Sequence, residues 1–256
     1  MKKNEQFSIV YQDEHILVLN KASGLLVAAD RWDPDATRLD ILAAKEFCAE
    51  GERLYAVHRI DKDTSGLIMY AKTAAAHRTL SIDFQERSVK KLYHVLVHGR
   101  PLWQETEIAI PLRADGDQKH RTVRDLKHGK PSVTKFTVLG ECGAFTWLEA
   151  NLITGRTHQI RAHLELSGLS IVCDPLYGDG KPLFLSQFKR SWRGDPFTER
   201  PLLDRLALHA WKMELTHPET GNLEVFTAPY PRDFDATRNQ LAKRFGTDPL
   251  NPPEKE

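Results

Sequence analysis

The 256-residue chain is poor in cysteine, with Cys48, Cys142 and Cys173 isolated from one another and odd in number. That argues against a disulfide framework and against a cysteine-based zinc site. Long apolar runs are missing as well. Nothing approaches the roughly 18 residues of a membrane span, and Met1-Lys2-Lys3-Asn4-Glu5 leads into no apolar signal core. The expected setting is the cytoplasm, with no membrane partner. An excess of one charge is also absent, since 36 Lys+Arg face 35 Asp+Glu and leave a formal net charge of +1. The strongly basic total usual for nucleic-acid binders is therefore lacking, although the sum is silent on how the charge is arranged. There is no Gly-rich first turn and no regular strand-helix alternation, which excludes a doubly wound nucleotide-binding fold. Ser65 lacks the G-x-S-x-G elbow of an α/β-hydrolase.

What remains is the composition of an ordinary globular protein, 41% hydrophobic and 28% charged. No internal repeat breaks the chain, so a single domain over residues 1–247 is expected, followed by a loose Pro-rich tail over 248–256, and the oligomeric expectation is a monomer. Ser8–Tyr11 and Ile16–Leu19 flank a turn-like Gln12-Asp-Glu-His15 and predict a hairpin. Leu67–Ala71, Leu92–Val97, Val133–Val138, Phe145–Ala150, Leu206–Trp211 and Leu223–Thr227 predict six further strands. Apolar spacing places Leu39, Leu42, Ala43 and Phe47 on one helix face, Ala76, Leu80 and Phe84 on another, and Ile160 with Leu164 on a third. The third helix follows Thr157, a good N-cap type, and ends near Gly168. Residues 180–201 mix Pro, Gly and Asp with aromatics and read as an inserted loop carrying a short helix. The pattern as a whole is α+β, a mixed and largely antiparallel sheet with flanking helices.

Three polar stretches beside strand signals carry the chemistry-bearing residue types: His58-Arg-Ile-Asp-Lys-Asp-Thr-Ser-Gly66, Arg87-Ser-Val-Lys-Lys-Leu-Tyr93 and Thr154-Gly-Arg-Thr-His-Gln-Ile-Arg-Ala-His163. In the first, Asp61 either caps its turn through the backbone or presents a reactive carboxylate, and local sequence leaves both readings open. The third sets Arg156, His158, Arg161 and His163 at a helix start, which suits an anion or is a solvated helix face. His158 and His163 are five apart rather than four and lack the glutamate of H-E-x-x-H, so a metal is not expected. Charge is locally uneven. Residues 87–100 carry Arg87, Lys90, Lys91 and Arg100 with no acid, a net +4, and residues 119–135 a net +5, offset elsewhere by acids including Asp30, Asp33, Asp35 and Asp40. Such segregation can grip a polyanion while the molecule stays neutral.

With these residues in view, the chain resembles the RluA-type family of RNA pseudouridine synthases. His58–Gly66 looks like the family's H-R-L-D-x-x-T-S-G signature, and Lys90-Lys-Leu-Tyr93 like its K-x-Y motif. Thr154–Arg161, Asp174-Pro-Leu-Tyr-Gly178 and Leu206-Ala-Leu-His-Ala210 resemble three further blocks, in the family's order. The resemblance implies isomerisation of a uridine in structured ribosomal or transfer RNA to pseudouridine, with no cofactor and no metal. It implies Asp61 as the essential catalytic residue, acting as a nucleophile or in forming a sugar intermediate. Arg161 would pair with that aspartate, and Tyr93 would pack on the uracil and help remove the C5 proton. Ile160 would line the pocket and Arg59 would fill the gap left by the flipped base. Arg156 and His58 are counted among the RNA-binding positions, His58 chiefly by shaping the loop. Two positions depart from the family pattern, Ala22 in place of a proline in Asn20-Lys-Ala-Ser-Gly24 and Cys173 in place of a glycine, and both bear on backbone shape. The S4 module of many relatives is not expected here, since Met1–Phe7 leaves no space for one. The alternatives are a catalytically silent RNA-binding or ribosome-assembly protein on the same scaffold and, further away, a metal-dependent phosphoesterase.

Overall fold

A computed structural model describes residues 6–28, 36–49, 51–189 and 191–252. Its strands, in chain order, are β1 (Phe7–Gln12), β2 (Ile16–Lys21), β3 (Tyr55–Ala56), β4 (Ser65–Ala71), β5 (Lys90–His98), β6 (Glu105–Ile108), β7 (Leu112–Arg113), β8 (Val123–Arg124), β9 (Thr134–Cys142), β10 (Phe145–Leu152), β11 (Leu208–Thr216) and β12 (Leu223–Thr227). Its α-helices are α1 (Leu39–Phe47), α2 (Ala74–Glu86), α3 (Gln159–Leu166) and α4 (Arg232–Phe245). The chain forms two compact units, one of Met1–Lys91 with Ala210–Pro229, the other of Leu92–His209 with Tyr230–Glu256.

In the first unit the strand order is β1-β2-β4-β11, with β3 on β4 and β12 on β11. The β1–β2, β2–β4, β3–β4 and β11–β12 ladders are all antiparallel. Ile16-Leu-Val-Leu19 and every residue of β4 are buried, so these strands are covered on both faces and need no polar alternation. Each such Leu or Ile contributes about 1.5–3 kcal/mol of burial. Helix α2 buries Ala76 and Leu80, as the spacing predicts, and Thr73 caps it by accepting from Ala76 N at 3.1 Å. At the hairpin turn Asp13 accepts from His15 N, Ile16 N, the Tyr11 hydroxyl and His217 Nε2, the last at 2.8 Å.

In the second unit β5, β10, β9 and β6 follow one another in antiparallel ladders, and β7 pairs with β8. Lys91 to Val97 are buried throughout, whereas β9 alternates between buried and accessible positions, the mark of a strand with one wet face. The expected strand Leu206–Trp211 starts later, at Leu208, because Ala207 instead donates to Val172 O at 3.0 Å and accepts from Leu96 N at 3.1 Å. The described residues of 180–201 form the expected loop, closed at its base where Leu183 N donates to Leu203 O at 2.7 Å and carrying a 3-10 turn at Leu185–Gln187. Helix α4 is the one helix the apolar spacing does not reveal among the described residues. It buries only Phe234, Thr237 and Leu241, yet its ends are marked by Asp233 and Asp235 in the first turn, Lys243 and Arg244 in the last, and a left-handed Gly246. Of the segment expected as a tail, Asp248 lies 3.5 Å from Arg238 and Pro249 is buried, while 253–256 fall outside the described residues.

Candidate active site

The signature loop runs from His58 into β4, and its backbone is tied down at three consecutive carbonyls. Asp61 O accepts from Thr64 N at 3.2 Å, closing one turn. Lys62 O accepts from Gly24 N and from Lys21 Nζ, both at 2.8 Å. Asp63 O accepts from Ser23 Oγ at 2.6 Å. Lys21 is fully buried, and its ammonium spends its three N–H donors on the carbonyls of Ala22, Leu25 and Lys62. One cation thus joins the segment after β2 to the turn that carries Asp61. The proline-to-alanine departure falls in this same segment. Ala22 N donates to Gln6 O at 2.9 Å, a bond that a proline cannot make, so the alanine supplies an anchor of its own.

His58 accepts from Met69 N at 3.0 Å through Nε2, and its ring stacks on Phe84 with centroids 4.7 Å apart. A ring that accepts at Nε2 is neutral with its proton on Nδ1. Burial, with the nearby Lys91 charge, pushes its pKa down to about 3. His58 thereby shapes the loop. At the loop's end Thr64 and Ser65 are buried, and Gly66 holds φ at +110°, where an added Cβ would stand 2.3 Å from Ala210 O. That glycine is required by close approach as well as by backbone conformation. Arg59 is exposed and Asp61 is partly buried.

The other expected residues belong to the second unit. Tyr93, on β5 opposite Ala150, is 7% exposed, and Ile160 and Arg161 in the first turn of α3 are buried. Arg161 forms a bidentate pair with Asp174, Nε to Oδ2 at 2.8 Å and Nη2 to Oδ1 at 2.7 Å, and its guanidinium lies 5.0 Å from the centre of the Tyr177 ring. Asp174 Oδ1 also accepts from Leu176 N and Tyr177 N, so the residue caps its own turn. Burial opposes its charge, but the Arg161 pair and these amides outweigh burial and hold the carboxyl below its usual range. The Tyr177 hydroxyl accepts from Thr122 N at 2.7 Å and meets His158 Nδ1 at 3.2 Å.

The start of α3 differs from expectation. Its N-cap is His158, at φ +50° and without a side-chain cap bond, not Thr157, whose carbonyl accepts from Thr122 Oγ1. Nor is the helix a solvated face, since Gln159, Arg161 and His163 are all buried. Gln159 is saturated: Oε1 accepts from Thr154 Oγ1 and Arg156 N, and Nε2 donates to Val133 O and Thr134 Oγ1. His163 Nε2 donates to Ile110 O while Nδ1 meets Thr134 Oγ1, and desolvation lowers its pKa, so it too is a neutral framework residue. Arg156 is half-buried and donates to Pro131 O at 3.3 Å. Lys21, Asp174, Tyr177 and Gln159 are the residues whose tasks local sequence does not disclose, because each acts on a segment far along the chain.

The basic stretches are thinner than their composition suggests. Lys90 pairs with Glu214 at 3.3 Å, Arg100 with Glu141 at 3.2 Å, Arg121 with Asp117 at 2.7 Å and Lys135 with Glu107 at 3.5 Å. Lys91 is buried, and desolvation with the Arg87 charge lowers its pKa. Among the described residues Lys119, Arg124, Lys127 and Lys130 are exposed and form no ion pair, so this loop keeps the free positive charge. Of the offsetting acids, Asp30, Asp33 and Asp35 lie outside the described residues, and Asp40 pairs with Arg38. Among the described residues no group of three or more His, Cys, Asp or Glu is placed to hold a metal ion, and no helix is long and apolar enough to cross a membrane.

An antiparallel α+β fold with an aspartate turn before β4 and a carboxylate-clamped arginine on α3 defines a class, and the comparisons agree with it. The family model of RNA pseudouridylate synthases matches residues 15–166, and the chain belongs to that family. It is 36% identical over 232 residues to ribosomal large subunit pseudouridine synthase D of Nitrosomonas europaea, covering 89% of this chain and 63% of that protein. It is 37% identical to ribosomal large subunit pseudouridine synthase C of Vibrio vulnificus, covering 91% of this chain and 69% of that one. The chain thus spans just under two thirds of the Nitrosomonas relative. The solved structure of human RNA pseudouridylate synthase domain containing 4 superposes with a TM-score of 0.68 at 24% identity, covering 91% of this chain and 92% of that one, a likeness of fold.

Proposed function

We propose that the chain isomerises uridine to pseudouridine in structured RNA, with large-subunit ribosomal RNA as the leading substrate class because the similar curated proteins carry that name. The observation that carries the reading is the Asp61 turn, whose three consecutive carbonyls are each tied while its carboxylate side chain belongs to the family signature. Fixed backbone around one carboxylate is what positioned covalent or electrostatic catalysis requires. In the reaction the bond from C1′ to uracil N1 breaks, the freed uracil turns, a bond from C1′ to C5 forms, C5 loses a proton and N1 gains one. Atoms and electrons balance without oxidant or co-reactant. Asp61 attacks or stabilises the electron-poor sugar carbon, Arg161, the arginine of the family motif, contributes its positive charge, and Tyr93 stacks on the uracil and assists removal of the C5 proton. Ile160 lines the base, and Arg59 occupies the space that the flipped uridine vacates.

The test is Asp61→Asn, which is nearly isosteric and leaves the carbonyl contacts intact. Pseudouridine is mapped at single-nucleotide resolution in ribosomal and transfer RNA from a strain lacking the protein, complemented with wild type or variant. Loss of the wild-type sites with an unchanged melting curve supports the reading, and full isomerisation by the variant overturns it. Which RNA pool regains pseudouridine identifies the substrate.

A further inference from the structure

A second feature of the Leu92–His209 and Tyr230–Glu256 unit has no task in this chemistry. An open cleft of about 490 Å3 lies between the tip of the β9–β10 hairpin, the end of α4 and the 3-10 turn at Leu185–Gln187. Its size falls within the roughly 300–1,000 Å3 of small-ligand sites. Phe145, Phe188 and Phe245 line it, together with His98, Gln187 and Arg244. At the hairpin tip Gly143 has φ +69°, and a Cβ there would stand 2.7 Å from the Phe245 ring. His98 stacks obliquely on Phe145 at 5.4 Å, and its Nε2 is buried with no hydrogen-bond partner among the described residues. A buried ring nitrogen without a partner is uncommon, and a ligand that completes it removes the desolvation cost. Gln187 spends Oε1 on Phe184 N at 3.1 Å, which leaves its amide N–H groups to donate. Arg244 is exposed, its guanidinium 5.7 Å from the centre of the Phe245 ring.

Flat apolar walls, one imidazole nitrogen, one amide donor and one cation at the rim match the parts of a nucleotide: a base that stacks, its polar edge, and a phosphate. We propose that this cleft binds an unpaired nucleotide of the substrate RNA other than the uridine that reacts. The inference rests on the reading of the chain as an RNA-modifying enzyme. The loop that supplies Phe188 favours an RNA over a free nucleotide. Its exposed Lys189, Arg193 and Arg200 suit a phosphate backbone, and Phe197, at the Asp195–Thr198 turn, is 98% exposed. A fully exposed aromatic is a stacking surface for a further base.

The experiment compares wild type with the double variant Phe188→Ala/Arg244→Gln, both positions accessible at the surface, and with His98→Phe. Each is measured for direct binding and for turnover on large-subunit ribosomal RNA purified from a strain lacking the protein, and for binding of AMP. The expected result is a rise of about tenfold in Kd and KM for the double variant, with kcat within twofold, and a smaller rise for His98→Phe. Kd and KM within twofold of wild type would overturn the proposal. So would micromolar AMP binding that the variants abolish while the RNA constants stay unchanged, since the cleft would then serve a free nucleotide. If wild type forms no pseudouridine, the proposed activity fails by itself, and the Kd comparison still decides the fate of the cleft.

Discussion

The turn that carries Asp61 is fastened through main-chain carbonyls, whereas Arg161 is fastened through side chains. Around Asp61, the Lys21 ammonium, Ser23 Oγ and two amides take up the carbonyls of Asp61, Lys62 and Asp63. Around Arg161, a carboxylate, an aromatic face and a saturated glutamine fix the guanidinium and its helix. The two devices predict different tolerance to mutation. Carbonyls are common to all residues, so Lys62 and Asp63 can change while the turn persists. Asp174 and Tyr177 act through their own functional groups and cannot be exchanged.

The sharpest way to break this comparison is Asp174→Asn. It removes the Asp174 carboxylate from the buried Arg161 guanidinium, a loss of about 3–5 kcal/mol, expected as a lower denaturation midpoint with pseudouridine formation largely lost. Arg161→Lys keeps the charge but not the fork, and should retain RNA binding while losing most turnover. A stability change under 1 kcal/mol for Asp174→Asn would mean that the pair is not a structural clamp.

On the other side, Lys21→Met removes three hydrogen bonds and takes the ammonium from the buried Leu25 carbonyl and the part-buried Ala22 and Lys62 carbonyls. The expected cost is about 2–4 kcal/mol, with turnover falling at least as steeply. Lys62→Ala and Asp63→Ala, measured beside it, should stay within about 0.5 kcal/mol of wild type. If Lys62→Ala proved as damaging as Lys21→Met, the contrast between main-chain and side-chain anchoring would fail.

Acid should separate the two regions. His58 has a folded pKa of about 3 against an ordinary 6.5, so below pH 6.5 the unfolded chain binds a proton that the folded chain refuses. Its contribution to stability is complete above pH 6.5 and is lost as the pH falls toward 3, by about 1 kcal/mol per unit. Asp174 has a depressed pKa, so its contribution is present above the ordinary carboxylate value and is lost only as the pH falls through its still lower folded value. His58→Gln, whose amide oxygen can accept from Met69 N, should flatten the slope of unfolding free energy between pH 6.5 and 5. Asp174→Asn should flatten only the limb below about pH 4.

These contrasts set what is legible in the sequence. The eight longer strands and α1, α2 and α3 follow from apolar spacing, which records burial residue by residue. Helix α4 was hidden because three buried positions in fourteen residues make a faint stripe, although its charges and Gly246 mark both ends. The short strands β3, β6, β7 and β8 carry too few residues to show a period. Within the candidate site, motif order drew attention to Asp61, Tyr93 and Arg161. The supports at Lys21, 41 residues from its Lys62 partner, and at Asp174, 13 from Arg161, follow from tertiary contact and leave no periodic trace. Thr157 is a good cap by type, but its carbonyl accepts from Thr122 Oγ1, and the helix starts from His158 instead.

The smallest expected effect tests the second departure from the family pattern. Cys173 has φ +60°, in the left-handed region, is buried, and donates through Sγ to Leu203 O at 3.4 Å. Holding a non-glycine residue there costs about 1–2 kcal/mol. Cys173→Gly relieves that strain but adds about 0.5–1 kcal/mol of unfolded-chain entropy and gives up the buried thiol, so the balance stays within about 1 kcal/mol of wild type. Cys173→Ala keeps the strain and loses the thiol, and should be the less stable of the two. At an extended or helical position the order is the reverse, because alanine there outlasts glycine. Chemical denaturation of both variants reads the order directly. Alanine ranking above glycine would mean that the chain can leave the left-handed region at residue 173, and that the turn before Asp174 is set by the Arg161 pair rather than by the backbone that precedes it.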